Sequence, residues 1–170
     1  MEAVQGTGNS REERLSRMMQ AHERAVMRLC VMYLHDVQLA QDAVQETFLK
    51  AYRKLDGFRG EASEKTWLFR IAVNTCRDMT RGGWFRHVDR AVEIENLPLP
   101  VSAPSAEHVA LTAAILALPP RYREVVLLHC DQGLTIREAA RALGITAPAV
   151  INRLKKARAA LASALGEEDA

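Results

Sequence analysis

The sequence predicts an all-α protein: two small helical domains joined by a flexible linker. Three observations carry this. Apolar residues recur at helical spacing in seven segments, most opened by a Ser, Thr or Asp suited to capping. The composition is rich in Ala, Leu, Val, Arg and Glu with only 5% aromatics, which favours helix over sheet. From Trp84 to Ser105 periodicity disappears and Pro98, Pro100 and Pro104 gather. That stretch, roughly twenty residues, is too long for a connection inside one domain. The expected organisation is a disordered N-terminus at 1–9, a first domain at 10–82, an acidic Pro-containing linker at 83–105, a second domain at 106–165 and an acidic tail at 166–170.

Taken in order, Ser10 with Glu13 forms a capping-box pattern opening a helix from about Arg11 to Leu34. Leu15, Met18, Met19, His22, Val26, Leu29 and Tyr33 make its inner stripe. Met18, Met19, Met27 and Met32 are expected to fill core, and His22 to be a partly buried helix residue, with no second His at ligand spacing. Asp36 can cap the next helix, whose Ala40, Val44, Phe48, Ala51 and Leu55 share one sector. Its other side carries Asp42, Glu46 and Arg53 around Leu49. This is either an apolar anchor in a charged rim, as at a partner-binding surface, or a solvated face with one leucine.

After the Gly57–Gly60 turn, Ser63 can cap a helix from Glu64. Leu68, Ile71, Ala72, Thr75, Cys76 and Met79 form its inner stripe, and Gly82-Gly83 stop it. Thr66, Trp67, Arg70, Asn74, Arg77 and Arg81 share the other face. Such a face suits unpaired nucleic acid, since rings stack on bases and Arg meets phosphate. The alternative is a buried Trp beside a routine basic surface. Beyond the linker, Ser105 caps a helix ending near Leu118, and Pro120 opens another from Arg121 to about Asp131. Thr135 with Glu138 opens a helix to Leu143, Gly144 turns the chain, and Thr146 caps a final helix to about Ala164. In Leu134–Leu161, small Ala139 and Ala140 permit a close crossing, and Ile145, Val150 and Leu154 lock the second helix on the first. This is helix-turn-helix logic, placing the start of the last helix in a major groove.

Charge is distributed unevenly. The net value is only +2, yet Leu134–Leu161 holds six Lys or Arg side chains against Glu138 alone. Lys155, Lys156 and Arg158 suit phosphates, which supply affinity without sequence information. The Ala91–Leu111 stretch is acidic through Glu93, Glu95 and Glu107. Cys30, Cys76 and Cys130 form no C-x-x-C pair, and small buried thiols are expected, with a redox switch as the other reading. No signal peptide is visible and no apolar run is long enough to span a membrane, so a cytoplasmic protein is expected. Phosphate-cradling glycine loop, metal-ligand cluster and nucleophile–base pair are all missing from the sequence, which speaks against an enzyme. No cofactor is implied.

The segments QETFLKAYRKLDGFRG and TWLFRIAVN, within Asp42–Asn74, resemble domain 2 of the extracytoplasmic-function (ECF) sigma factors in order and spacing. LPPRYREVVLLHCDQGLT and the helix-turn-helix that follows resemble sigma domain 4. Together the resemblance covers Arg14–Arg81 and Glu107–Leu161. It implies an alternative sigma factor directing promoter recognition, melting and initiation in a stress or envelope response. Docking on the beta-prime clamp helices of core RNA polymerase would use Asp42, Gln45, Glu46, Leu49 and Arg53. Opening and reading the single-stranded −10 element would use Arg59, Ser63, Lys65, Thr66, Trp67, Arg70, Asn74 and Arg77.

Domain 4 would bind the beta flap and the duplex −35 element. There Arg137, Thr146, Ala149, Ile151, Asn152, Arg153, Lys155, Lys156 and Arg158 would meet DNA, with Asn152 and Arg153 best placed for bases. The linker would thread polymerase channels or act as a simple tether, and an anti-sigma factor is implied as a partner. Two positions depart from the family pattern. Glu64 stands where an aromatic often captures a −10 base, and Ile151 where Lys or Arg is common. Isoleucine can touch a thymine methyl but cannot pair with guanine. A conventional helix-turn-helix regulator of duplex DNA is the other function considered, and the Trp67/Arg70/Asn74/Arg77 face separates the two.

Overall fold

Seven helices make up the computed structural model, which describes residues 5–82 and 105–166. They are α1 (Gln5–Leu34), α2 (Val37–Lys54), α3 (Glu64–Arg81), α4 (Ala106–Ala117), α5 (Pro120–Val125), α6 (Ile136–Leu143) and α7 (Ala147–Leu165). All of the predicted linker at 83–105 except Ser105, and most of the acidic tail, lie outside the described residues. Ser105 itself caps α4, its hydroxyl accepting the His108 N–H at 3.2 Å.

The caps form where the hydroxyls and carboxylates predict them. Asp36 accepts the Leu39 N–H at 2.9 Å and Ser63 accepts that of Thr66 at 3.1 Å. Thr135 and Glu138 close a full capping box, and Thr146 caps α7. Gly144 takes the left-handed conformation at φ +66°, which lets α6 turn into α7. The N-terminus differs from expectation. α1 begins at Gln5, so residues 5–9 are helical and Ser10 lies within the helix instead of capping it. Once the Arg11–Leu34 nucleus exists, each added residue gains a hydrogen bond without a new nucleation cost.

The first three helices pack on one another, and α7 packs on α4, α5 and α6. The two groups are not separate bodies: α3 also packs on α6, and α1 touches α5. One apolar cluster therefore runs from Met18, Leu29, Phe48 and Leu68 through to Leu127, Leu143 and Leu154. This explains why α3 buries Phe69 and Val73 as well as its predicted stripe from Leu68 to Cys76, since α6 covers a second flank, while Met79 of that stripe is only partly buried. The end of α1 is likewise buried all round, from Leu29 to Leu34.

Two further expectations change. The segment predicted as one helix from Arg121 switches after α5 into a π-helical turn, Val126–Asp131, with the Gln132 N–H bonded back to the Leu127 carbonyl at 2.9 Å. Near the end of that turn Cys130 emerges exposed, whereas Cys30 and Cys76 are buried.

Candidate functional site

Three surfaces gather the residues singled out in the sequence. On α2, Asp42, Gln45 and Arg53 are exposed, Glu46 is half-buried and Leu49 is 45% exposed. Leu49 does not stand alone. It edges an apolar groove between α1 and α2 lined by Leu15, Met19, Met27, Val44 and Phe48, with Glu12, Glu23 and Arg24 at its rim. Met18 and Met32 are core, as expected, but Met19 and Met27 are only partly buried and help form this groove. Flexible thioethers suit a surface that must adapt to a partner. Wheel analysis of single helices could not show a groove shared by two of them.

The α3 surface is more complex than its spacing suggests. Arg59, Ser63, Arg70 and Asn74 are exposed. Trp67 is half-buried and stacks on Phe58, ring centroids 4.6 Å apart, beside a hollow that Arg59 and Arg70 also line. Phe58 was not singled out in the sequence, although an aromatic next to the conspicuous Gly57 turn was a usable signal. Thr66 is not on the open face. It is 2% exposed, and its hydroxyl accepts from that of the exposed cap Ser63 at 2.9 Å. Glu64 lies 3.6 Å from His22, so its carboxylate has a neighbour on α1. Among the described residues no cluster of side chains could hold a metal ion.

Two other residues of this surface are turned towards the C-terminal helices. Lys65 donates to the Gln132 carbonyl at 2.6 Å. Arg77 donates through Nε and Nη2 to the two carboxylate oxygens of Glu124, each at 2.8 Å. The Tyr33 hydroxyl donates to the same carboxylate at 2.8 Å. Glu124 is almost fully buried, and three charge-assisted or short donors make that burial tolerable. The hydrogen bond to Glu124 raises the Arg77 guanidinium above its ordinary value, and burial followed by the Glu124 charge pushes the Tyr33 phenol well up.

On α7 and its approach, Arg137, Thr146, Asn152, Lys155, Lys156 and Arg158 are exposed, and Ala149 and Arg153 are half-buried. Ile151 is 55% exposed. Val150, Leu154 and Ala157 face inward, so the outward side of α7 carries Ile151 among Asn152, Lys155, Lys156 and Arg158.

Comparison with known proteins now bears directly on this arrangement. The family model for Sigma-70 region 2 matches residues 18–86, and that for Sigma-70 region 4 matches residues 108–161. The RNA polymerase sigma-H factor of Pseudomonas aeruginosa is 31% identical over 158 residues, spanning 85% of this chain and 82% of its own. The ECF RNA polymerase sigma factor SigM of Mycobacterium tuberculosis is 34% identical over 152 residues, 85% and 74% of the two chains. The chain belongs to the extracytoplasmic-function sigma factors.

Among solved structures, CnrH in complex with the cytosolic domain of CnrY matches with a TM-score of 0.70 at 26% identity, covering 93% of this chain and 91% of that one. The sigma factor RpoE of Bartonella quintana, solved with the anti-sigma factor NepR, has the same fold, with a TM-score of 0.74 at 22% identity over 91% of this chain and 98% of that one. The sigma factor described here thus has the two helical regions of its family, both accounted for by matches. No helix among its described residues is long and apolar enough to cross a membrane.

Proposed function

We propose that this sigma factor docks on core RNA polymerase through the α2 face and the α1–α2 groove, reads single-stranded −10 DNA with the Trp67 face of α3, and reads duplex −35 DNA with α7. The observation that carries the docking role is Leu49, a large apolar side chain standing exposed beside an apolar groove inside a rim of Glu12, Glu23 and Arg24. That is the anatomy of a hot spot: an apolar centre that excludes water, ringed by charges that set orientation. Stacked Trp67 and Phe58 beside Arg59 and Arg70 supply ring and cation together, as single-strand binding requires. The exposed cations of α7 supply phosphate affinity, with Asn152 and Arg153 as the base-reading candidates and Ile151 as a contact for a thymine methyl.

The protein performs no covalent chemistry in this reading. It works in the cytoplasm, where polymerase and promoter are, and an anti-sigma factor is its regulatory partner. Both solved neighbours are complexes, one with a protein named as an anti-sigma factor. A conventional regulator of duplex DNA would leave the region 2 half without a role. The deciding experiment is in vitro transcription with purified bacterial core polymerase, comparing wild type with Asp42→Lys/Glu46→Lys. Promoter-dependent transcripts are expected from the wild type and a loss of at least tenfold from the variant. Equal activity of the two would remove α2 as the docking face.

A further inference from the structure

The two rings assigned to single-strand binding are not held by α3 alone. Phe58 belongs to the connection between α2 and α3, which also contains Gly57 and Gly60. Gly60 takes the left-handed conformation at φ +77°, and a stretch of this kind is ordered by the contacts made to it. Those contacts come from the N-terminal half of α1. Arg11 donates through Nη2 to the Tyr52 carbonyl at 2.8 Å, lies 4.8 Å over the Tyr52 ring and reaches Asp56 at 3.3 Å. The Arg14 guanidinium stands 5.6 Å over the centre of the Phe58 ring. Further along, His22 lies beside Glu64 in the first turn of α3. Positions 11, 14, 18 and 22 recur every three or four residues and share one face, which Met18 anchors in the core at 1% exposure.

Arg14 lies over Phe58, and Phe58 is stacked on Trp67 with 25° between the ring planes. A guanidinium over a ring face is attracted by the negative charge of that face, which restrains the ring beneath it. Among the described residues Arg14 has no carboxylate partner, so the Phe58 ring is what its charge meets. Phe58 and Trp67 line the hollow with Arg59 and Arg70, whereas neither Arg11 nor Arg14 does. Arg14 is therefore placed to act through Phe58 and not on DNA directly. Rings fixed in advance spare the ordering cost that binding would otherwise carry.

We propose that Arg14, braced by Arg11, is a positioning residue for single-strand recognition, fixing Phe58 against Trp67 so that a base meets a ring pair already stacked. The recognition role rests on the −10 reading above; the holding of the rings does not.

Trp67 fluorescence in the full-length chain tests the holding. The chain has two tryptophans, so a Trp84→Phe background leaves Trp67 as the one that emits. Arg14→Met keeps the apolar stem and removes the charge. It should raise acrylamide quenching of Trp67 about twofold, and Arg14→Lys should restore the wild-type value. Arg11→Met, which releases Tyr52 and Asp56, should act in the same direction and replaces Arg14→Met if circular dichroism shows helix lost there. Recognition is read by fluorescence anisotropy with a fluorescein-labelled, mixed-sequence single strand of about 12 nucleotides. Arg14→Met should weaken binding about fivefold with the slope of log affinity against log salt unchanged. Phe58→Ala should cost the same, and Arg14→Met/Phe58→Ala no more than either alone, because the two act in series. Unchanged quenching in Arg14→Met, or losses that add in the double variant, would overturn the positioning role. A slope shallower by about 0.7 would make Arg14 a phosphate contact, which overturns it too. Equal binding by Trp67→Ala and wild type would instead count against the −10 reading, with the quenching still deciding whether Arg14 holds the rings.

Discussion

Cys30 and Cys76 show how burial sets chemistry at single residues. The Cys76 thiol donates to the Cys30 sulfur at 3.7 Å between α1 and α3. That hydrogen bond, and then burial, raises the Cys76 thiol well above its ordinary value, so very little of the reactive thiolate exists there. Neither sulfur has solvent access, since both residues are 0% exposed. Cys130 is exposed. Its neighbours in sequence are Leu127, Leu128 and His129, and an apolar run of that kind reads as core. A disulfide reagent such as DTNB should therefore titrate one thiol of the native chain quickly and all three only after denaturation. Cys130→Ser should abolish the fast phase. Two or more fast equivalents from the native protein would show that the α1–α3 seam opens readily.

Elements were legible in this sequence where a local rule determines them. Asp36, Ser63, Ser105, Thr135 and Thr146 each sit one residue before a helix whose orphan N–H groups need an acceptor, and all five accept one. What escaped were features imposed from outside the element. Glu124 sits between Arg123 and the Val125–Leu128 run, and nothing local says that it meets Tyr33 and Arg77, 91 and 47 residues away. Lys65 and Arg77 both lie on α3, yet both are turned to partners on the other half of the chain. The π-helical turn is similar, because a run of apolar residues fits any helical hydrogen-bond pattern. The α6–α7 corner allows a quantitative test of the local rules. Gly144→Ala puts a Cβ on a residue at φ +66° and should cost about 1–2 kcal/mol, while Thr135→Ala removes one half of the capping box and should cost about 1 kcal/mol. Urea unfolding of the full chain should show lower midpoints with unchanged slopes. A neutral Gly144→Ala would mean that the turn adopts another conformation.

At the scale of the whole molecule, the shared core makes a claim about cooperativity. Each half alone is small, and domains of this size bury a modest fraction of their surface. Here the end of α1, the second flank of α3 and the start of the C-terminal helices complete one another's burial, with Val31, Phe69, Val125 and Leu128 all at 1% exposure or less. Glu124 lies in this seam, and removing one partner of a buried ionic network costs about 3–5 kcal/mol because the others stay buried unpaired. Tyr33 on α1 and Arg77 on α3 are those others. Calorimetry of the wild type should accordingly show one transition, since neither half unfolds without exposing the other. Glu124→Ala should split it into two, the C-terminal half melting first because it has lost its cover. For a domain of about 60 residues each kcal/mol moves the midpoint by about 4–8 °C, so losing even 2 kcal/mol of coupling should separate the transitions by about 10 °C. Two transitions in the wild type would mean that the halves fold independently and the seam contributes little. A single, merely lowered transition in the variant would mean that apolar contact between α3 and α6 couples the halves without the buried carboxylate.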